Sequence, residues 1–297
     1  MAGYDAAAVR VREFRGSFRG AGGLRLAARC WRPGDREPRA AVALVHGFGE
    51  HSGRYTWLVE YLVGRGFVVY GYDHRGHGRS PGPRGHIHAW DEYRGDLHAF
   101  LATVRGREPQ LPLFLYAHSL GGLIGLEFLL RHPEVPLAGA VISAPPLGAI
   151  GVSPLLQAAS RVASRIWPSL GMNTGLDPST ISRDPEALRA LAADSLSHTR
   201  ATARFGTEMV AAVAWSHANA HTLRLPILIV HGEDDRLVDP EGSRAFFARL
   251  AAPDRERRTY PGGHHELHND TGREELFADV GAWLGRQLEV AHDRGGA

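Results

Sequence analysis

The sequence predicts an α/β fold: a mostly parallel sheet with helices on both faces and a helical insertion over one end. Three observations predict it. Apolar runs without alternation recur at Ala41–Val45, Phe67–Tyr72, Leu113–Ala117, Ala138–Ser143 and Pro226–Val230, the pattern of strands buried on both faces. Amphipathic stretches of helical length separate them, which calls for right-handed crossovers between parallel strands. The stretch from Pro146 to Leu225 breaks this alternation between two sheet strands.

Taken in order, two short runs between Val11 and Trp31 flank Gly20-Ala21-Gly22-Gly23, a β-hairpin whose turn needs residues able to take positive φ. Between the second and third apolar runs, Glu92 to Arg107 sets Tyr93, Leu97, Phe100, Leu101 and Val104 on one helical face that should pack on the sheet. A helical run, Leu123–Arg131, follows the third apolar run and ends before Pro133. The insertion is rich in Ala and Leu, carries Pro154, Pro168, Pro178 and Pro185, and shows no strand signal. A short strand is expected around Arg258–Tyr260. The last helix, about Arg273 to Gln287, presents Leu276, Val280, Trp283 and Leu284, and Ala291–Ala297 reads as a frayed tail. The organisation is therefore a core of residues 1–145 and 226–297, interrupted by a cap of residues 146–225 that is not a separate folding unit.

Composition narrows the function classes. With 297 residues, 43% hydrophobic and 22% charged, the chain can bury a large core. Its 34 basic and 32 acidic residues leave a net charge of +2, too balanced to imply a nucleic-acid partner. The single cysteine, Cys30, has no disulfide partner within the chain and sits between small and aromatic neighbours as a buried filler. Met1 to Arg10 lacks the apolar core of a secretory signal, and no 18-residue apolar run occurs, so the chain reads as soluble and cytoplasmic.

The chemistry concentrates after the strands. Leu113–Ala117 runs into Ala117-His118-Ser119-Leu120-Gly121-Gly122 and then a helix. Strand, tight turn with serine at its tip, then helix is a nucleophile elbow, which needs small residues on both sides of the serine. Ala117 stands where the usual motif has glycine, one methyl larger. An alcohol attacks only when a base takes its proton. Both partners follow in the order Ser, Asp, His. His231-Gly232-Glu233-Asp234-Asp235 comes after strand Pro226–Val230, and Pro261-Gly262-Gly263-His264-His265 comes after the next short strand. Spacing alone leaves Asp234 and Asp235, and His264 and His265, as alternatives. Two amides could hold an oxyanion: that of Leu120, next to the nucleophile, and that of Phe48 in the turn His46-Gly47-Phe48-Gly49. A zinc site is disfavoured, because His265-Glu266-Leu267-His268 is one residue short of the spacing that puts two histidines on one helix face and no cysteine joins them. Gly76-His77-Gly78 is a loop closing a strand and not a phosphate cradle, since no lysine follows.

These residues together resemble the monoacylglycerol lipase and lysophospholipase-like group of α/β-hydrolases. The sharpest match is His46-Gly47-Phe48-Gly49-Glu50-His51-Ser52-Gly53-Arg54-Tyr55, supported by Asp73-His74-Arg75-Gly76-His77-Gly78-Arg79-Ser80, the elbow, and Gly263-His264-His265-Glu266-Leu267-His268. The resemblance covers nearly all the chain outside the cap. It implies the eight-stranded α/β-hydrolase sheet, Asp235 as the triad acid and His265 as the base. It also implies that Glu50, Arg54 and His268 lie near the glycerol end of the pocket, with His118 as a further substrate-binding candidate. The implied reaction is hydrolysis of a lipid-like ester by Ser119, with no cofactor. A plain ion pair bracing the loop is the alternative role for Glu50 and Arg54. Leu155, Leu156, Val162, Ile166 and Trp167 are candidates for the acyl tunnel or for the cap's own core, and the cap is a candidate for transient contact with a membrane surface. Lysophospholipase and short-chain carboxylesterase are the nearest alternative activities. An aminopeptidase is disfavoured because no acidic cluster in the cap announces an amine-binding site, and dehalogenase or epoxide hydrolase would need aspartate in place of Ser119. A non-catalytic binding protein of this fold would be expected to lack part of the triad, which is whole here.

Overall fold

The computed structural model describes residues 10–148, 164–175 and 177–295, the last four of these by backbone alone. Strands β1 (Val11–Arg19) and β2 (Arg25–Pro33) form the expected hairpin. Its turn takes φ of +68° at Gly22 and +75° at Gly23, values that side chains other than glycine seldom tolerate. Strands β3 (Ala40–Val45), β4 (Phe67–Tyr72), β5 (Leu113–His118) and β6 (Gly139–Ser143) follow. Helices α1 (Thr56–Gly64), α2 (Asp91–Arg107) and α3 (Leu120–Arg131) connect them.

Past the insertion come β9 (Ile227–Gly232), a helix over Pro240–Arg249, β10 (Arg255–Tyr260) and a final helix over Arg273–Gly295. The eight strands of the main sheet run in the order β1-β2-β4-β3-β5-β6-β9-β10. From β4 to β10 every neighbouring pair is parallel, and β2 alone runs against the rest.

The unbroken apolar runs reflect burial on both faces. In β3, Ala41, Ala43 and Val45 join the core beneath α2 and α3. Ala40, Val42 and Leu44 join the opposite core, built with Leu58 and Leu62 of α1 and Val280 and Trp283 of the last helix. Alternate residues thus face two apolar layers, so no position can be polar. Cys30 is buried in the first of these cores.

Between Ser143 and Ile227 the described chain stays outside the main sheet. It holds α4 (Pro185–Ala193) and α5 (Ala203–Asn219), capped by Asp184 and Thr202. It also holds two strands that sequence patterning does not give, β7 (Gly171–Asn173) and β8 (Arg200–Thr202), paired antiparallel. Three residues are too few to display a period of two, and this pairing joins segments almost thirty residues apart. Of the candidate tunnel residues, Leu155, Leu156 and Val162 lie outside the described residues, while Ile166 and Trp167 are 80% and 62% exposed. The tail also differs from expectation, since the last helix continues to Gly295. Leu288 is buried against the core, and no proline or β-branched run follows it to stop the helix. Among the described residues no helix is long and apolar enough to cross a membrane.

Candidate active site

The parallel strands deliver their C-terminal ends to one rim, where α/β sheets gather functional groups. β3 ends at the turn His46–Gly49, β5 at Ser119, β9 ahead of Asp235 and β10 ahead of His265. Ser119 takes φ +50°, ψ −119°, the strained conformation an elbow requires. Its N–H is held by the Ser143 carbonyl at 2.8 Å. Gly121, two residues further, has no room for a side chain: a Cβ there would stand 2.4 Å from the Val45 carbonyl oxygen and 2.5 Å from that of His46. The elbow helix therefore packs directly on the backbone of the turn carrying Phe48. Ala117, in the other small-residue position, is fully buried in the sheet.

Ser119 Oγ lies 2.9 Å from His265 Nε2, and His265 Nδ1 lies 2.7 Å from Asp235 Oδ2. Of the paired alternatives, Asp234 is exposed and Asp235 buried; His264 is half-buried and contacts Asp270 only through its backbone N–H. Asp235 Oδ1 accepts from the amides of Leu237 and Val238 at 2.9 and 2.8 Å. Although burial alone would raise its pKa, the His265 and His231 donors hold this carboxyl well below the usual range. Burial opposes charge on His265 too, yet Asp235 raises its pKa, so the ring is a stronger base than a free imidazole. Among the described residues neither the Phe48 nor the Leu120 amide has an acceptor, which leaves both free for a developing oxyanion.

Glu50, Arg54, His118 and His268 come together beneath this chain. Glu50 Oε1 accepts from the Gly47 amide at 2.5 Å and the Tyr55 hydroxyl at 2.6 Å, so it ties the Phe48 turn to the following segment. Arg54 sits 3.3 Å from Glu50 Oε2 and 2.7 Å from Glu266 Oε2. Burial and the nearby Glu266 push Glu50 up to about 7 against the pull of Arg54. Burial lowers the pKa of Arg54, but Glu266 and Glu50 more than offset this and keep its guanidinium charged. His268 stacks on Tyr55, centroids 4.3 Å apart, and its edge meets His118, whose ring lies 4.9 Å from that of His265. Burial drives His268 down to about 4 and His118 well below the ordinary histidine value, so both rings are neutral.

Sequence reasoning missed several supporting groups. Asp73, in the loop after β4, accepts from the Ser52 amide and hydroxyl and from the Arg79 amide, pinning the second glycine-rich loop to the first. His46 Nε2 accepts from the His74 amide. The insertion docks on the same turn: His198 N–H donates to the Gly49 carbonyl at 2.8 Å, His51 pairs with Asp194 at 2.9 Å, and Phe48 stacks on Phe205 at 5.0 Å. A cavity of about 390 Å³ opens between α4 and His51–Trp57, bordered by Arg54, Glu186 and Asp194. The contact of Asp194 with His51 joins residues 143 apart in sequence, and that of His198 with Gly49 is as distant, so no local motif could announce them.

A mostly parallel eight-stranded sheet with helices on both faces and a serine elbow at its rim defines an α/β-hydrolase. The family model described as serine aminopeptidase, S33, matches residues 36–272, and the chain belongs to that family, within its monoacylglycerol lipase-like branch. It is 35% identical over 270 residues to a monoacylglycerol lipase of Mycolicibacterium smegmatis, covering 90% of this chain and 95% of that one. A Bacillus subtilis protein named phospholipase YtpA is 31% identical, over 84% of this chain and 97% of its own. The crystal structure of a Paleococcus ferrophilus monoacylglycerol lipase superposes with a TM-score of 0.78 at 32% identity, covering 93% and 99% of the two chains. The protein is a carboxylic ester hydrolase.

Proposed function

We propose that the enzyme hydrolyses monoacylglycerols to a fatty acid and glycerol through an acyl-enzyme on Ser119. The carrying observation is the hydrogen-bonded chain from Ser119 through His265 to Asp235, set beside two unpaired amides. In this reading His265 takes the hydroxyl proton as Ser119 attacks the ester carbonyl. The amides of Phe48 and Leu120 receive the oxyanion, each contributing about 3 kcal/mol to the transition state. Asp235 orients the ring and stabilises its cation. His265 then returns the proton to the leaving glycerol oxygen, and a water activated by the same ring frees the acid.

The substrate assignment rests on the relatives named above and on the polar cluster next to the nucleophile. A glycerol ester presents two hydroxyls, and Glu50, Arg54, His118 and His268 supply fixed polar groups beside the nucleophile. The exposed cap residues Ile166, Trp167 and Met172 touch the lipid surface transiently. The deciding experiment measures kcat/KM for monoacylglycerols, lysophosphatidylcholine and p-nitrophenyl esters. Monoacylglycerol should lead. Preference for lysophosphatidylcholine would overturn the substrate while leaving the nucleophile standing.

A further inference from the structure

We propose that His231 is a positioning residue of the catalytic triad, sharing the Asp235 carboxylate with His265 and setting how much of its charge the base feels. This deepens the triad reading above and rests on it. His231 closes the apolar run of β9, four residues before Asp235, and is fully buried. Its Nε2 stands 3.1 Å from Asp235 Oδ2 and 3.2 Å from the Val238 carbonyl oxygen. Both neighbours are acceptors, so Nε2 must carry the hydrogen and donate it. The other nitrogen, Nδ1, lies 2.9 Å from Ser243 Oγ on the next helix, which fixes the ring plane from the far side.

The same oxygen that receives the His265 Nδ1–H therefore receives a second imidazole donor. Counting the amides of Leu237 and Val238, the carboxylate is held at both oxygens. Each donor disperses its charge. Withdrawing the His231 donor leaves more of that charge for His265, favours the imidazolium and makes the neutral base scarcer in mildly acidic solution. The remaining charged or titratable groups facing His265 are His118 from β5, Glu50 from the Phe48 turn, and Glu266 and His268 from its own segment. His118 also faces His231.

The test compares His231→Gln with His231→Asn in the full chain. A glutamine amide reaches the position of Nε2 and can still donate to Asp235. The shorter asparagine reaches only the position of Nδ1, near Ser243. Both bury a neutral amide, and a purely structural role would lower the plateau without moving the acid limb. The readout is kcat/KM for p-nitrophenyl butyrate from about pH 5 to about pH 9, which spans the histidine range. Asparagine should raise the midpoint of the acid limb by about 0.5–1 unit and lower the plateau roughly three- to tenfold, the worth of one ordinary hydrogen bond. Glutamine should stay near wild type in both. An acid limb that does not move in the asparagine variant, or equal behaviour of the two, would overturn the proposal; so would a glutamine variant that fails to fold. Ser119→Ala in the same assay separates the levels: activity surviving there removes the triad itself, whereas loss there with unmoved acid limbs removes only the role of His231.

Discussion

Substituting alanine for Gly121 puts the packing of elbow on oxyanion turn to a quantitative test. The added Cβ would sit 2.4 Å from the Val45 carbonyl oxygen and 2.5 Å from that of His46. A carbon–oxygen contact relaxes to about 3.3 Å, so the elbow and the turn must part by close to 0.9 Å. Neither partner is a flexible side-chain end, and the displacement falls on the spacing between Ser119 and the Phe48 amide. Misplacement by about 1 Å costs on the order of 100-fold in rate, and overpacking of this kind costs about 1–3 kcal/mol in stability. Gly121→Ala should therefore remain folded by circular dichroism while kcat/KM for p-nitrophenyl butyrate drops roughly 100-fold, mainly through kcat. Gly106→Ala, where nothing lies within 4 Å of the new Cβ, provides the control with unchanged activity. A Gly121→Ala enzyme within about threefold of wild type would refute the claim that this contact sets the oxyanion geometry.

The Asp235–His265 pair should also appear in stability. Asp235 is held below the unfolded carboxylate value of about 3.9 and His265 above the unfolded value of about 6.5. The Asp235 contribution is present above its unfolded value and lost as pH falls through its folded one, while that of His265 is present below its unfolded value and lost as pH rises through its folded one. Denaturant unfolding of Asp235→Asn should thus differ most from wild type between about pH 4 and about pH 6.5; a difference independent of pH contradicts the pairing. Glu50→Gln keeps an acceptor for Gly47 and Tyr55 but removes the charge opposite Arg54. Monoacylglycerol turnover should fall about tenfold and p-nitrophenyl ester turnover less, whereas equal losses would mean that Glu50 only braces the loop. Trp167→Ser should weaken sedimentation with phosphatidylcholine vesicles, and unchanged binding would remove the cap from lipid contact.

Legibility in the sequence follows how local each feature is. Doubly buried strands such as Ala41–Val45 announce themselves because both of their faces must be apolar, and the elbow because its turn demands small residues around Ser119. The choice between Asp234 and Asp235 was not readable from spacing. It depends on which of two neighbours turns inward from β9, and only the fold brings His265 to Oδ2 of Asp235. Likewise Glu266 reads as an ordinary loop acid until Arg54 arrives from 212 residues away. β7 and β8 are too short for a period, so their pairing lives wholly in tertiary contact. His231 stands where a strand ends, and its donor becomes evident once Asp235 turns back beneath it.

Ser119 is proposed as the nucleophile on which monoacylglycerol turnover depends. The most direct measurement treats wild type and Ser119→Ala with a fluorophosphonate, locates the adduct by mass spectrometry, and follows fatty-acid release from a monoacylglycerol in parallel. The expected result is a stoichiometric adduct on Ser119, loss of turnover on labelling, and neither label nor turnover in the variant beyond the residual contributed by the oxyanion amides. Labelling at another residue, or monoacylglycerol hydrolysis by Ser119→Ala at a rate near wild type, would contradict it.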